Sequence, residues 1–145
     1  MKFFADLYKN QHLGLLCLRI GIGIAFIIHG YPKITGGPDM WLKLGGAMVH
    51  WGITFAPIFW GFIGAISEFG GGLLLILGLF FRPVTILLFL TMVVATFSHI
   101  SNHDSFNTYS HALELGIVFL SCALIGPGCY SLDAKFQKTN HAHYK

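Results

Sequence analysis

Charged residues are scarce in this chain: Asp, Glu, Lys and Arg make up 10% of its 145 residues, against roughly a quarter in soluble domains. A water-soluble fold would lack the charges to cover its surface. Nor does one sign dominate. Nine Lys and Arg against six Asp and Glu give a formal charge of +3, too small and too scattered for a nucleic-acid surface. Cys17, Cys122 and Cys129 form no CxxC pair, which argues against a disulfide framework or a thiol relay and leaves them as packing residues. No HExxH motif is present, and Gly21-Ile22-Gly23 lies inside an apolar run with no preceding strand, so a nucleotide loop is excluded. No small-residue cleavage site closely follows the first apolar run, which therefore reads as a retained helix rather than a signal peptide.

What is abundant is apolar: 54% of residues, with a mean hydropathy of +0.68. At about 20 residues per membrane span, the chain has room for one domain of four helices with short connections. The sequence indicates an all-α membrane protein, a bundle of four transmembrane helices occupying residues 1–145. The expected spans are about 13–30, 55–81, 83–100 and 111–126. Pro32 is the expected stop of the first. Arg82-Pro83 makes a very short turn between the second and third, which should pair as an antiparallel hairpin. Gly126-Pro127-Gly128 ends the fourth, and the polar tail after it is expected to be partly disordered. Between spans one and two, Trp41, Leu44, Met48 and Trp51 recur at helical spacing on one side, predicting a short amphipathic helix at the membrane interface.

Lys2, Lys9, Arg82, Lys135, Lys138 and Lys145 fall on one side of this topology and Lys33 and Lys43 on the other. By the positive-inside rule both termini are cytoplasmic.

Ionisable groups in hydrocarbon cost about 2.5 to 3.5 kcal/mol each, so the few present should face one another or a polar cavity. Arg19 in span one and Glu68 in span two are the deepest. Counting about 1.5 Å per residue puts them at similar depths, which makes an Arg19–Glu68 pair available. Such a pair serves either as a plain salt bridge or as the polar floor of a ligand pocket or a proton relay. A second group gathers at the outer ends: His29 and Lys33, His99 and His103, His111 and Glu114. His99, His103, His111 and Glu114 have spacings compatible with a metal or a haem ligand. For His29, His111 and Glu114, hydrogen bonding to a quinone-like ligand is the favoured use.

The segments LRIGIGIAFIIHGYPK, EFGGGLLLILGLFFRP and GPGCYSLD, in that order, resemble the DoxX family of small bacterial membrane proteins. The resemblance implies a four-helix bundle of the bacterial inner membrane. It also implies a link to quinone-dependent redox chemistry, since the family takes its name from the small subunit of a thiosulfate:quinone oxidoreductase. Its motif positions fall on Arg19, His29, Gly30, Lys33, Glu68, Gly71 and Arg82, and Cys129 stands where members often carry Arg. The leading expectation is therefore a quinone-linked oxidoreductase subunit or accessory, with Arg19, His29, Lys33, Glu68, His111 and Glu114 lining a pocket open toward the outer leaflet. Quinone is the favoured ligand, haem or metal the alternatives. Electrons would come from a soluble or membrane redox partner or a bound cofactor. Different classes stay open beside it: a non-enzymatic assembly protein whose outer loops bind a soluble partner, or a small transporter, which would have to oligomerise; the oligomeric state is open, a homo-oligomer included.

The topology has a direct test. Single cysteines at Met40 and Ser105 in a cysteine-free background should react with an impermeant maleimide in intact cells; labelling of the tail instead would invert the orientation.

Overall fold

The computed structural model describes residues 2–142, with side chains from 10 to 137. Helix α1 (Lys2–Thr35) is followed by α2 (Gly37–Gly45), a 3-10 turn (Gly46–Trp51), α3 (Pro57–Leu77), α4 (Phe81–Ser101), α5 (Phe106–Ile125) and α6 (Leu132–Ala142). Four segments are long and apolar enough to cross a membrane: Asn10–Thr35, Pro57–Leu77, Phe81–Ser101 and Phe106–Ile125. The four-span bundle with a short helix between spans one and two is thus as the sequence indicated. Helix α1, α2 and the 3-10 turn pack on α3, which pairs with α4 and α4 with α5.

The boundaries moved for identifiable reasons. Pro32 does not stop the first span. It lies inside α1, where the missing N–H costs one bond in the last turn and the helix runs on. The break comes at Gly36-Gly37, where the Gly36 N–H closes on the Pro32 carbonyl at 3.0 Å and Gly37 takes a φ of 68° that a side chain would oppose. Span one therefore ends five residues beyond Gly30. Span two ends early, at Leu77, because Gly78 adopts the left-handed cap conformation with its N–H on the Leu75 carbonyl. Span four begins at Phe106 instead of His111, entered from Ser105 in an extended conformation.

In the tail, expected to be partly disordered, residues 143–145 lie outside the described residues and Leu132–Ala142 is helical. Asp133, in its first turn, accepts the backbone N–H groups of Phe80 (3.0 Å) and Phe81 (2.8 Å). These donors open α4 and have no intrahelical partner, so the carboxylate satisfies them. The Cys129 N–H reaches Nδ1 of His12 at 3.4 Å, which joins the region after α5 to the start of the first span.

Glycines set the closest helix approaches. A Cβ on Gly30 would meet the Phe69 backbone and one on Gly72 the Gly23 carbonyl, so α1 and α3 touch nearly backbone to backbone. A Cβ on Gly45 would collide with the Pro57 carbonyl, and one on Gly61 with the Trp41 carbonyl. Helix α2 thereby lies flat on the first turns of α3. Trp41 secures it, donating Nε1–H to the Lys33 carbonyl at 3.0 Å and packing edge-on against Phe62.

The apolar centre of the bundle holds Phe26, Leu75, Phe81, Leu88, Met92 and Phe119, with Phe26 and Phe119 in edge-to-face contact at 5.0 Å.

Because neither backbone at the α2–α3 contact can yield cheaply, Gly61→Ala should destabilise the protein by about 1–3 kcal/mol. Gly70→Ala, where the added methyl would meet only Ile66 at 3.8 Å, should leave stability unchanged or slightly raised. Thermal unfolding in detergent, followed by circular dichroism, separates the two.

Candidate functional site: an ion pair at the end of an apolar cavity

The extension of α1 past Pro32 carries Lys33 to the level of Glu68 on α3. Nζ of Lys33 contacts both carboxylate oxygens, at 2.7 and 2.6 Å. Glu68 is 7% exposed, whereas Lys33 keeps about a third of its side chain accessible. Helix α3 buries its Gly61, Ala65, Glu68, Gly72 and Leu75 positions, and this three-to-four spacing brings the carboxylate onto the packed face.

Arg19 does not meet Glu68. Its side chain, 1% exposed, donates Nε–H to the Leu75 carbonyl (3.0 Å) and Nη2–H to Ile76 (2.8 Å); Nη1 donates to Pro127 (2.9 Å) and Tyr130 (3.1 Å). Seven residues of α3 separate Leu75 from Glu68, about 10 Å along the axis. The two groups expected to pair therefore occupy different ends of the bundle. Shortening span one at Pro32 had placed Arg19 too near Glu68 and left Lys33 beyond the helix.

The Lys33–Glu68 pair borders a cavity of about 610 Å³ between α3 and α4, beneath α2 and the 3-10 turn. Its wall is apolar over most of its extent, with Trp51, Trp60, Ser98 and His99 toward the end where α3 begins and α4 finishes. Trp51 packs on Phe97 of α4 at 4.9 Å and closes the roof. Leu87 and Leu90 line the cavity and are 41% and 52% exposed, so the space is open rather than sealed along this apolar side of α4. The indole Nε1–H of Trp60, which also lines it, is buried without a hydrogen-bond partner. An orphaned donor in such a site is costly and is satisfied by a ligand acceptor or water. His99 holds its Nδ1 2.7 Å from Asp104, and both side chains remain about two-fifths exposed. The residue thus bridges the cavity and the outer surface.

Of the six residues expected to line one pocket, Lys33 and Glu68 do. Arg19 is at the other end. His29 and His111 do come together, their ring centroids 6.3 Å apart, but on the exposed face between α1 and α5, with Glu114 exposed one turn further along α5. His99 and His103 do not join His111 and Glu114: His103 lies in the turn after α4 with φ 59°, and among the described residues no three His, Cys, Asp or Glu side chains gather closely enough to hold a metal. Trp60 carries no site expectation from the sequence, and Trp51 only that of an interfacial aromatic. The nearby signal was the aromatic spacing of the α2 segment, whose apolar side turns out to be the cavity roof.

Two double-mutant comparisons follow. Lys33→Met and Glu68→Gln should each cost about 1–2 kcal/mol, the partial exposure of Lys33 moderating the loss, and the double variant should recover part of it. Arg19→Gln with Glu68→Gln should be additive within experimental error. Thermal unfolding of all five variants is the measurement.

Comparison with known proteins gives a consistent result. Residues 14–100, from α1 through the end of α4, match the DoxX family. The chain is 30% identical over 135 residues to the Escherichia coli (strain K12) "Inner membrane protein YqjF", covering 90% of this chain and 97% of that one. To "Inner membrane protein YphA" of the same organism it is 30% identical over 132 residues, 83% of this chain and 89% of the relative. To the Bacillus subtilis (strain 168) protein named "Putative oxidoreductase CatD" it is 33% identical over 87 residues, 60% of each chain. No solved structure matches. With the family match running across three of the four spans and a relative aligned over nearly its whole length, this transmembrane chain belongs to the DoxX family.

Proposed function

We propose that the protein is a quinone-linked redox subunit of the bacterial inner membrane, with the quinone head held in the cavity bordered by Lys33 and Glu68. The observation that carries this reading is one apolar cavity, open along an apolar side of α4, that combines an ion pair with an unpartnered indole N–H. A quinone has the matching chemistry: an apolar ring and tail, and carbonyl oxygens that only accept hydrogen bonds. The volume lies within the range of roughly 300–1,000 Å³ usual for small-molecule sites. The names of two relatives place those proteins in an inner membrane, and the name of a third includes an oxidoreductase activity.

Bound there, a quinone supplies reversible two-electron, two-proton chemistry, with electrons delivered by a partner protein. The chain's own residues bind, orient and move protons. Trp60 Nε1–H and the Lys33 ammonium donate to carbonyl oxygen. Glu68 fixes the ammonium and, in low-dielectric surroundings, keeps a proton acceptor beside the ring. His99, held through Nδ1 by Asp104, leaves its second ring nitrogen for exchange between the cavity and water at the outer end. Haem or metal chemistry finds no comparable set of side chains around this cavity.

Titration of the purified protein with decylubiquinone, read by tryptophan fluorescence, should saturate. Trp60→Phe keeps the ring and removes the donor, and should weaken binding about tenfold, as should Glu68→Gln, these being hydrogen bonds in a desolvated site. Absence of saturable binding removes the quinone reading. Saturable binding indifferent to both substitutions places the head elsewhere.

A further inference from the structure

Glu114 lies eight residues into α5, about 12 Å along a span of 20 residues. It is exposed on the outside of the bundle, and among the described residues no hydrogen bond or ion pair reaches it. A carboxylate facing hydrocarbon at that depth is unfavourable, so such groups almost always meet a partner or a water-filled cavity. The cavity described above does not include it. His111 lies one turn up the same face of α5, and the His29 ring on α1 stands 6.3 Å from the His111 ring. Both imidazoles are exposed, and neither has a hydrogen-bonding partner among the described residues.

We propose that this α1–α5 face is the contact between two copies of the chain, in which Glu114 of each copy accepts a hydrogen bond from the histidine pair of the other. Three features favour a second copy over an unrelated membrane protein. The face carries its own complement, acceptor-only carboxylate beside imidazole donors, so a two-fold axis along the membrane normal satisfies both halves at once. Copies inserted in one orientation present these groups at equal depth. His111 is about 4.5 Å from Glu114 along α5, a difference in depth that the Glu114 side chain can span. Finally, Cys17, Gly21 and Ala25, all exposed, run in a four-residue row that ends at His29, and a Cβ on Gly21 would meet nothing within 4 Å. This row of small side chains lets a second α1 approach closely, as membrane helix contacts require.

The test uses the full chain with donor or acceptor fluorophores, reconstituted in phosphatidylcholine vesicles at a series of protein-to-lipid ratios. Energy transfer should report a dimer, and Glu114→Gln should weaken association about tenfold with helical content unchanged, as expected for loss of an interhelical hydrogen bond in lipid. His111→Glu should fail to self-associate, since it sets carboxylate against carboxylate, and Glu114→Lys should weaken association by removing the acceptor, yet the two should associate when mixed, ammonium against carboxylate. A wild type that remains monomeric at every ratio overturns the proposal, including the case where Glu114 proves to bind a different membrane protein. So does a dimer indifferent to Glu114→Gln, or a mixed pair that fails to recover. Because the readout is association alone, these outcomes are separate from success or failure of quinone binding.

Discussion

A guanidinium inside hydrocarbon has to find acceptors for donors that water would otherwise take, and in this protein one side chain does so by gathering four carbonyls from two separate segments. Arg19 engages Leu75 and Ile76 in the last turn of α3, and Pro127 and Tyr130 in the connection after α5. Helix ends leave their last carbonyls unpaired and carry partial negative charge, so the cation and the end of α3 satisfy each other. The fork of the guanidinium lets one residue serve several acceptors, which a lysine ammonium could not reproduce in the same geometry. The result ties α1, α3 and the start of the tail at one end of the bundle. Asp133 completes that end by capping the first turn of α4 from α6.

With Arg19 committed to carbonyls, Glu68 is left for Lys33, and this second choice defines the other end. As built, the ion pair sits at the boundary between helix packing and open space, one partner buried and the other partly accessible. Partial access matters, because a charge pair sealed in protein holds helices together and little else, whereas one bordering a cavity can exchange a hydrogen bond with a ligand. The flat seating of α2 on α3 through Gly45 and Gly61 brings Trp51 and the 3-10 turn over that cavity. The same short element that lies at the interface is therefore the roof of the site.

The bilayer also explains why the bundle tolerates large exposed apolar side chains such as Ile28, Leu124 and Phe80. Lipid removes the cost they would carry in water, so exposure of these residues marks nothing. Exposure of a polar residue marks a great deal, and by that measure Glu114 and the histidines beside it stand out from the rest of the outer surface.

Much of this was legible in the chain itself. The number of spans, the membrane setting, the interfacial helix with its aromatic side and the family all follow from apolar run length, from the spacing of Trp41, Leu44, Met48 and Trp51, and from ordered motifs. Those features are written along one dimension, and the bilayer thickness fixes their scale. The sequence also singled out Lys33 and Glu68, and it brought His29 toward His111. What it left open was azimuth and neighbour. Counting residues yields depth along a helix, provided the helix ends are known, and the end of α1 was misplaced because a proline in a last turn does not stop a helix. Depth says nothing about which way a side chain faces or which helices are adjacent. Those depend on glycines that let particular backbones meet and on carbonyls freed at helix ends far away in sequence. Tertiary structure alone therefore decided that Arg19 binds carbonyls, that Lys33 takes Glu68, that Trp60 borders a cavity with its indole N–H unpaired, and that Glu114 faces outward.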